Sequence, residues 1–428
     1  MGENLKFRIL VIFSSILFLC ITPSSAFSQT YGRNFLDKWS DSEYMTGNWG
    51  GKRKELVDKG VTFFGNFHTT FLGNPIGGET KGFEYAGQLI VGTELDLEKI
   101  AGINGLKFVV SGSWITGRSL SEEHIGNVFD VSEVFNLNLG FTFGSDSYRL
   151  YQLLLEQSLF NDKVNIAAGR MATLTEFANL EVLGYFVNTA FNENAGSIKK
   201  NIPTITTNPF STWGVRLRLK PINEFYIMSG IYVSNPDNKD ANNNGVDFSF
   251  DGGALWLGEI GFSPSLNITA DSLTGNYKLG VLLDTTEFEI FNRPGRTKSY
   301  NYGFYFFMDQ MLYKESNTDN QGLIFFSVFT YSPQEQINKF PFYYAGGLAY
   351  VGLINNRDED KTGFGFLIGE FSDDLPQQDY EMILELTYKI QALKWLIAQP
   401  QMQYVVHPDG DQNIDDALVM GFKFELEL

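Results

Sequence analysis

The sequence predicts an all-β fold: a 16-stranded antiparallel transmembrane β-barrel, preceded by a short N-terminal periplasmic helix. Three observations support this fold class. Strand-like segments occur in an even number, their connections alternate between short and long, and most segments have one apolar and one polar face. In the last segment, 417–428, one face is formed by Leu418, Met420, Phe422, Phe424, Leu426 and Leu428.

The N-terminus has the three parts of a secretory signal peptide, which we predict over residues 1–28. Lys6 and Arg8 form the basic part, residues 9–21 form the apolar part, and small residues follow. The apolar run is too short for a membrane-spanning helix. The only cysteine, Cys20, lies within it, so we expect the mature chain to contain no disulfide and no thiolate metal site.

The next part of the chain, 29–60, is predicted to be a periplasmic segment that contains a short helix over 50–59. Gly60 follows this helix and is suited to a left-handed stop. The barrel is predicted over 61–428. Its strands are 61–72, 83–97, 106–116, 149–157, 163–170, 211–220, 224–233, 253–264, 276–288, 300–313, 322–332, 342–353, 362–371, 379–390, 394–407 and 417–428.

The connections give the barrel its orientation. Long loops are predicted at 117–148 and 171–210, whereas tight turns lie near 161–162, 221–223 and 391–393. Odd-numbered strands therefore lead to the outer face, and even-numbered strands turn in the periplasm. Long barrel loops often carry function, so we expect 171–210 to fold inward and narrow the interior.

The composition fits a barrel in a membrane. Aromatic residues make up 15% of the chain, with 39 Phe and 20 Tyr, as girdles at two membrane interfaces require. The net charge of −18 offers no basic stripe for phosphates, so nucleic acid is excluded as a partner.

Two strands show why the polar faces need an aqueous interior. Arg216 and Arg218 alternate with apolar residues in the sixth strand, and Glu381 and Glu385 do so in the fourteenth. Burial of an unpaired charge costs several kcal/mol, so these faces must meet water or each other. A soluble protein would need to gather sixteen apolar faces into one core, whereas a membrane barrel turns them toward lipid.

Eight short motifs in order resemble the carbohydrate-selective porin family of the OprB type. They are Gly47–Gly51, Tyr85–Leu89, Ser119–Ser121, Leu150–Gln152, Ala168–Arg170, Ser211–Arg218, Glu259–Pro264 and Gln399–Tyr404. The resemblance implies a channel in the outer membrane of a Gram-negative-type bacterium that admits glucose and other small saccharides by passive diffusion. Such barrels usually end in an aromatic residue, and this chain has Leu428 there.

The predicted inward groups suit sugar hydroxyls, which bond to Arg forks, carboxylates and amides. Binding in a channel must stay weak so that the solute leaves again. The alternative is that the same groups form salt bridges that stiffen the wall. The candidates for saccharide contact at a constriction are Arg170, Arg216, Arg218, Glu156, Gln152 and Glu84, with Gln88, Asp309, Gln399, Gln401 and Gln403 as weaker ones. We expect Arg170, at the end of the fifth strand, to lie between Glu156 on the fourth and Arg216 on the sixth.

A weak calcium candidate occurs in the loop that contains Asp240, Asn242, Asn244 and Asp251, where the spacing resembles a calcium loop. An Asn-rich solvated turn is the simpler interpretation. No metal or other cofactor is otherwise expected.

Three function classes stay open from the residues alone. The preferred class is a passive sugar porin, not an enzyme. The second is a general or anion-preferring porin, and the third is an outer-membrane barrel hydrolase built on one of the three histidines. The expected partners are small saccharides, outer-membrane lipid and the barrel assembly machinery, and a homo-oligomer is possible.

Overall fold

The computed structural model describes residues 39–132, 147–192, 195–239, 245–246, 248–267, 272–316 and 320–428. The chain divides into two compact units, Met1–Ser42 and Glu43–Leu428. Only residues 39–42 of the first unit are described. The predicted signal peptide, 1–28, therefore lies outside the described residues, and the fold below is that of the second unit.

The described chain contains sixteen barrel strands in one antiparallel sheet. Each strand pairs with its neighbours in sequence. In chain order they are β1 Val61–Ile76, β2 Phe83–Asp96, β3 Leu106–Gly117, β4 Ser147–Leu159, β5 Val164–Met171, β6 Thr212–Ile222, β7 Phe225–Ser234, β8 Gly253–Phe262, β9 Ser272–Glu289, β10 Thr297–Lys314, β11 Gly322–Tyr331, β12 Phe342–Val351, β13 Lys361–Glu370, β14 Tyr380–Leu393, β15 Leu396–Val406 and β16 Ala417–Glu427.

The sheet closes because the first strand pairs with the last. Asn66 lies opposite Glu427 and Phe71 lies opposite Phe422, while β1 also pairs with β2. Closure leaves no unpaired edge, and this is the condition under which strands can cross a bilayer. The predicted fold class is confirmed.

Each of the sixteen predicted segments overlaps one observed strand. The largest differences are in β1, which continues to Ile76, and in β9, which begins at Ser272, while β8 ends at Phe262 and not at Pro264. Proline has no N–H to donate to the ladder, so pairing stops there and resumes in the short stretch Ser265–Asn267, which also pairs with β9.

The outer face of the barrel is apolar and the inner face is polar or packed. Val215, Ile231 and Leu279 are more than half exposed, at 53%, 59% and 54%. Arg216, which follows Val215 in the chain, is only 2% exposed. A soluble protein would bury the first three residues, so this inside-out pattern identifies the outer surface as the lipid-facing one.

A short helix precedes the barrel, as predicted. A 3₁₀ turn at Trp49–Gly51 leads into α1, Lys52–Asp58. Gly60 follows with φ +88°, and a Cβ at this position would lie 2.8 Å from the Asp96 carbonyl oxygen. Another helix, α2 at Leu97–Ala101, joins β2 to β3. Within the described ranges, no helix is long and apolar enough to cross a membrane.

Two connections fold into the barrel interior. The first inner segment is residues 118–132, the described part of the β3–β4 connection. The second inner segment is the described part of the β5–β6 connection, residues 172–192 and 195–211, and contains a 3₁₀ turn at Glu181–Tyr185, α3 at Thr189–Asn192 and α4 at Gly196–Asn201.

Glycines on β13 make room for the aromatic side chains of these inner segments. The ring of Phe129 lies above Gly369, and those of Phe186 and Phe191 lie above Gly365. All three rings are fully buried. Phe186 and Phe191 stack with their centroids 4.7 Å apart. The aromatic rings of both inner segments thus pack directly on the backbone of β13, where glycine has no side chain.

A methyl group added at Gly365 of β13 should loosen the second inner segment. In Gly365→Ala, the new Cβ would lie 2.9 Å from Phe186 Cε1 and 3.1 Å from Phe191 Cζ. We expect a cost of about 1–3 kcal/mol, as for other overpacked cores, and faster protease cleavage within the segment in the folded, detergent-solubilised protein. Gly112→Ala is the control, because its Cβ would meet nothing closer than 3.5 Å. Equal cleavage rates in the two variants would contradict this packing.

Candidate functional site

A buried carboxylate on β14 holds the second inner segment. Glu385 is fully buried, and its two oxygens accept the backbone N–H groups of Val187 at 2.6 Å and Asn188 at 3.0 Å. The inward position predicted for Glu385 is confirmed. Because the segment supplies two donors, the charge is satisfied by hydrogen bonds from the backbone.

A second carboxylate on the same strand holds the first inner segment. Glu381 accepts the backbone N–H groups of Val128 and Phe129, each at 2.8 Å, and of Asp409 at 2.7 Å. Glu381 and Glu385 are four positions apart, so both point to the same side of the strand. One face of β14 therefore anchors both inner segments.

A third carboxylate, Glu259 on β8, anchors the start of the second inner segment. It accepts the backbone N–H of Ala178 at 2.7 Å. The hydroxyls of Tyr226 and Tyr305 donate to its two oxygens at 2.6 and 2.8 Å. Glu259, Glu381 and Glu385 are called the wall carboxylates below.

Two glutamines of β15, Gln399 and Gln403, were weaker candidates from the sequence and also bond to the inner segments. Gln403 accepts from the Asn188 side chain at 2.9 Å and donates to the Val131 carbonyl at 2.8 Å. Gln399 donates to the Tyr185 carbonyl at 2.8 Å. These contacts show that the second inner segment is folded inward, as its length led us to expect.

The inner segments leave two cavities beside them. Cavity A, about 350 Å³, and cavity B, about 440 Å³, share Thr175 and Asn179 of the second inner segment. Cavity A is also lined by His68, Gln88, Tyr151, Leu174, Gly184, Asn192, Thr207, Asn208, Lys389, Lys423 and Glu425. Cavity B is also lined by Glu176, Leu180, Glu181, Arg218, Tyr226, Met228, Asn276 and Lys278.

An ion-pair cluster on β4–β6 borders cavity B. Glu156 lies opposite Ala167, which in turn lies opposite Arg216, so the three share one inward row. The small side chain of Ala167 lets Arg216 Nη2 come within 3.8 Å of Glu156 Oε1. Arg216 also bonds to Asn165, which donates to Glu156 at 2.8 Å.

The second inner segment completes this cluster with Glu176. One carboxylate oxygen of Glu176 bonds to Arg216, and the other lies 3.4 Å from Arg218 Nη1. The Arg216 side chain is 2% exposed, whereas those of Glu176 and Arg218 are 35% and 39% exposed. Solute in cavity B can therefore reach Glu176 and Arg218, with Arg216 behind them.

The other predicted site residues lie apart from this cluster. Gln152 accepts from the Ser111 hydroxyl at 2.9 Å. Glu84 bonds to His124 Nε2 at 3.0 Å, near the β1–β2 connection. Arg170 is buried at the end of β5, and Ala167, not Arg170, occupies the position between Glu156 and Arg216.

The calcium candidate stays a prediction. Asp240, Asn242 and Asn244 lie outside the described residues, and Asp251 is exposed. In the described part of the chain, no group of three or more His, Cys, Asp or Glu side chains is arranged to hold a metal ion.

Sequence reasoning did not find Glu176. It lies in a loop, where no period of two marks a side chain as inward, and its partners Arg216 and Arg218 are about forty residues away in the chain. The lysines of cavity A were within reach of the sequence, because Lys389 and Lys423 alternate with apolar residues on strands that were predicted.

A closed barrel with a lipid-facing exterior and polar cavities beside inward-folded loops is the architecture of a porin, a channel protein. The comparisons narrow this class. The family described as carbohydrate-selective porin, OprB family, matches residues 80–428. The chain belongs to this family, and it is a carbohydrate-selective porin of the outer membrane.

Relatives agree over nearly the whole length. Porin B of Pseudomonas aeruginosa is 27% identical over 433 aligned positions, which cover 90% of this chain and 91% of that protein. The high-pH structure of Pseudomonas putida OprB is 27% identical and covers 91% of this chain and 99% of its own, with a TM-score of 0.82. Salmonella typhi OmpF, 10% identical with a TM-score of 0.54, shares the fold.

Removal of a wall carboxylate should widen the channel. In Glu385→Ala, two backbone N–H groups lose their acceptors at a cost of about 1–3 kcal/mol each. We expect the second inner segment to loosen, so that single-channel conductance and current noise rise while the strand content by circular dichroism stays the same. Glu370→Ala, an exposed carboxylate at the end of β13, is the control. Wild-type conductance in Glu385→Ala would contradict the anchoring role.

The first inner segment should loosen as pH rises. Burial, with the nearby Asp130 carboxylate as the next cause, raises the pKa of Glu122 from 4.5 to about 8. The folded segment therefore keeps a proton that an unfolded segment releases near pH 4.5, and stability falls as pH rises across this window. We expect the hydrogen exchange of Val128 and Phe129 to accelerate between pH 5 and 8 more in wild type than in Glu122→Gln. Equal acceleration would contradict this.

Proposed function

We propose that glucose-like mono- and oligosaccharides cross this chain by passive diffusion through cavities A and B. The observation that carries the proposal is the position of the Glu176–Arg218 pair. Both side chains line a polar cavity and are partly exposed, and Glu176 belongs to an inner segment that the wall carboxylates anchor. A sugar in cavity B would meet an acceptor and a forked donor side by side.

Charges of opposite sign in cavity B suit a neutral solute. Glu176 and Glu181 are balanced by Arg218 and Lys278. A balanced site attracts neither ion sign strongly, yet each group can bond to hydroxyls. The ring of Tyr226 adds an apolar surface for the face of a sugar.

Among the predicted site residues, direct contact is assigned to Arg218, and positioning is assigned to Arg216 and Glu156. Arg216 is too buried to meet solute, but it fixes the orientation of Glu176. Gln152, Glu84 and Arg170 are assigned to the wall. We also propose that residues 61–428 are the barrel domain and that residues 29–60 are a periplasmic segment. Contact with the barrel assembly machinery and assembly into a homo-oligomer are further proposals.

The hydrolase alternative has one geometric feature in its favour. His124 bonds to the Thr80 hydroxyl at 2.9 Å through Nδ1 and to Glu84 at 3.0 Å through Nε2. The backbone explains this contact more simply, because the Thr80 N–H also bonds to the His124 carbonyl at 2.9 Å, so the histidine ties the β1–β2 connection to the first inner segment. We therefore propose that this group is structural and that the chain carries no catalytic site.

Block of single-channel current by added glucose and maltose tests the sugar proposal. Loss of a charged hydrogen-bonding partner costs about 1.5–3 kcal/mol, so we expect Arg218→Ala and Glu176→Gln to raise the half-blocking concentration about tenfold or more. Arg216→Ala and Glu156→Ala should raise it less, since they act through Glu176. Arg293→Ala, an exposed residue in the β9–β10 connection, is the control.

Two results would overturn the proposal. Wild-type block in both Arg218→Ala and Glu176→Gln would remove these residues from the pathway. Strong ion selectivity in a salt gradient, without any block by sugar, would favour a general or anion-preferring channel instead.

A further inference from the structure

Cavity A differs from cavity B in the net charge of the residues that line it. Its described lining contains two ammonium groups, Lys389 and Lys423, and one carboxylate, Glu425. Both lysines bond to the same carboxylate oxygen, Oε1 of Glu425, at 2.9 and 2.7 Å. With His68 neutral, the lining carries a net charge of +1, whereas that of cavity B is balanced.

The two ammonium groups are built into the wall. Glu425 lies directly opposite His68 on β1, and Lys423 lies opposite Gln399 on β15. The Lys423 side chain is 2% exposed, and Lys389 also donates to the Gly184 carbonyl of the second inner segment at 3.3 Å. These bonds hold both cations beside the cavity with one carboxylate between them.

Cavity A is also lined by neutral polar groups that suit hydroxyls. Gln88 and Asn208 exchange hydrogen bonds through their side-chain amides at 3.0 and 3.1 Å. Thr175, Asn179 and Tyr151 also line the cavity. Its volume, about 350 Å³, lies at the small end of the range for ligand pockets. A small polyhydroxylated molecule with one carboxylate matches both the ammonium groups and the neutral polar groups.

We propose that cavity A is a subsite for sugar acids, in which the carboxylate of a monoanionic sugar binds beside Lys389 and Lys423. This inference rests on the proposed passage of saccharides through cavities A and B, and it adds an anionic substrate class to the neutral one. An extra negative charge brings the site to neutrality, and the net positive charge in a confined space draws anions in. Glu425 already shares both ammonium groups, so binding stays weak enough for release.

D-glucose and D-glucuronate test this proposal, because they share a ring and differ by one carboxylate. Block of single-channel current by each sugar is measured at about 0.1 M salt, where screening over a few ångströms is partial. For wild type we expect glucuronate to block at a concentration about tenfold lower than glucose, as one net charge at this range allows.

Variants that remove single charges test whether the preference for glucuronate over glucose arises in cavity A. The preference for glucuronate is the half-blocking concentration of glucose divided by that of glucuronate. Lys389→Gln and Lys423→Gln should each bring this ratio close to one. Glu425→Gln should increase the preference for glucuronate, because it leaves both ammonium groups without the internal anion. Lys163→Gln, an exposed lysine at the β4–β5 turn, removes the same charge away from the cavity and should keep the wild-type ratio.

The outcomes separate the two claims. A wild-type ratio of one or less, with glucose still blocking, would overturn the sugar-acid subsite and leave the saccharide pathway standing. So would a Glu425→Gln variant that weakens glucuronate block, and this variant decides the matter if the lysine variants fail to fold. The absence of block by either sugar, together with no liposome swelling in glucose, would overturn both.

Discussion

Hydrogen bonds from loop backbone to buried carboxylates determine where the two inner segments lie inside this barrel. Glu381, Glu385 and Glu259 are inside the wall, and each accepts backbone N–H groups from an inner segment. A buried carboxylate without partners costs several kcal/mol, and so does a buried peptide without an acceptor. Each contact meets both needs at once. The wall and the segments are therefore stable only together, and the segments are a fixed part of the channel.

This constraint divides the interior into filled and open parts. On the side of β13–β15, glycines and glutamines receive Phe186, Phe191 and Asn188, and the space is filled. Elsewhere the second inner segment leaves space beside the wall: cavity B is bordered by β6, β7 and β9, and cavity A mainly by β14, β16, β1 and β2. Glu176 belongs to the second inner segment, but its carboxylate pairs with two residues of the barrel wall, Arg216 and Arg218. In the proposed pathway, contact with sugar thus depends on a loop that the wall carboxylates hold in place.

The strands could be predicted from the sequence because they obey a local rule. A period of two, with apolar residues outward, identifies β6 and β14 from a dozen residues each and correctly places Arg216 and Glu385 inside. The rule failed where a proline interrupts the ladder after Phe262. It also could not show that Ala167 and not Arg170 lies between Glu156 and Arg216, since that depends on the register between strands.

The inner segments follow no such rule. The inward direction of the second one could be expected from its length, but its anchors could not, because Val187 and Glu385 are separated by 198 positions. Backbone N–H groups carry no residue identity, so no motif announces that a loop will cap a distant carboxylate. The aromatic residues of the segments gave no period, and the glycines of β13 became meaningful only when the rings above them were seen.

A reversible lock on the second inner segment tests most directly whether that segment is a fixed part of the conducting channel. The hydroxyls of Ser197 in α4 and Thr330 on β11 lie 2.7 Å apart, so cysteines at these positions are close enough to form a disulfide with a small adjustment. Liposome swelling in glucose is compared for the oxidised and reduced double variant. Equal rates are predicted, because the lock holds the segment where it already lies. Sugar entry that stops on oxidation and returns on reduction would contradict the account, since the segment would then have to leave for the channel to conduct.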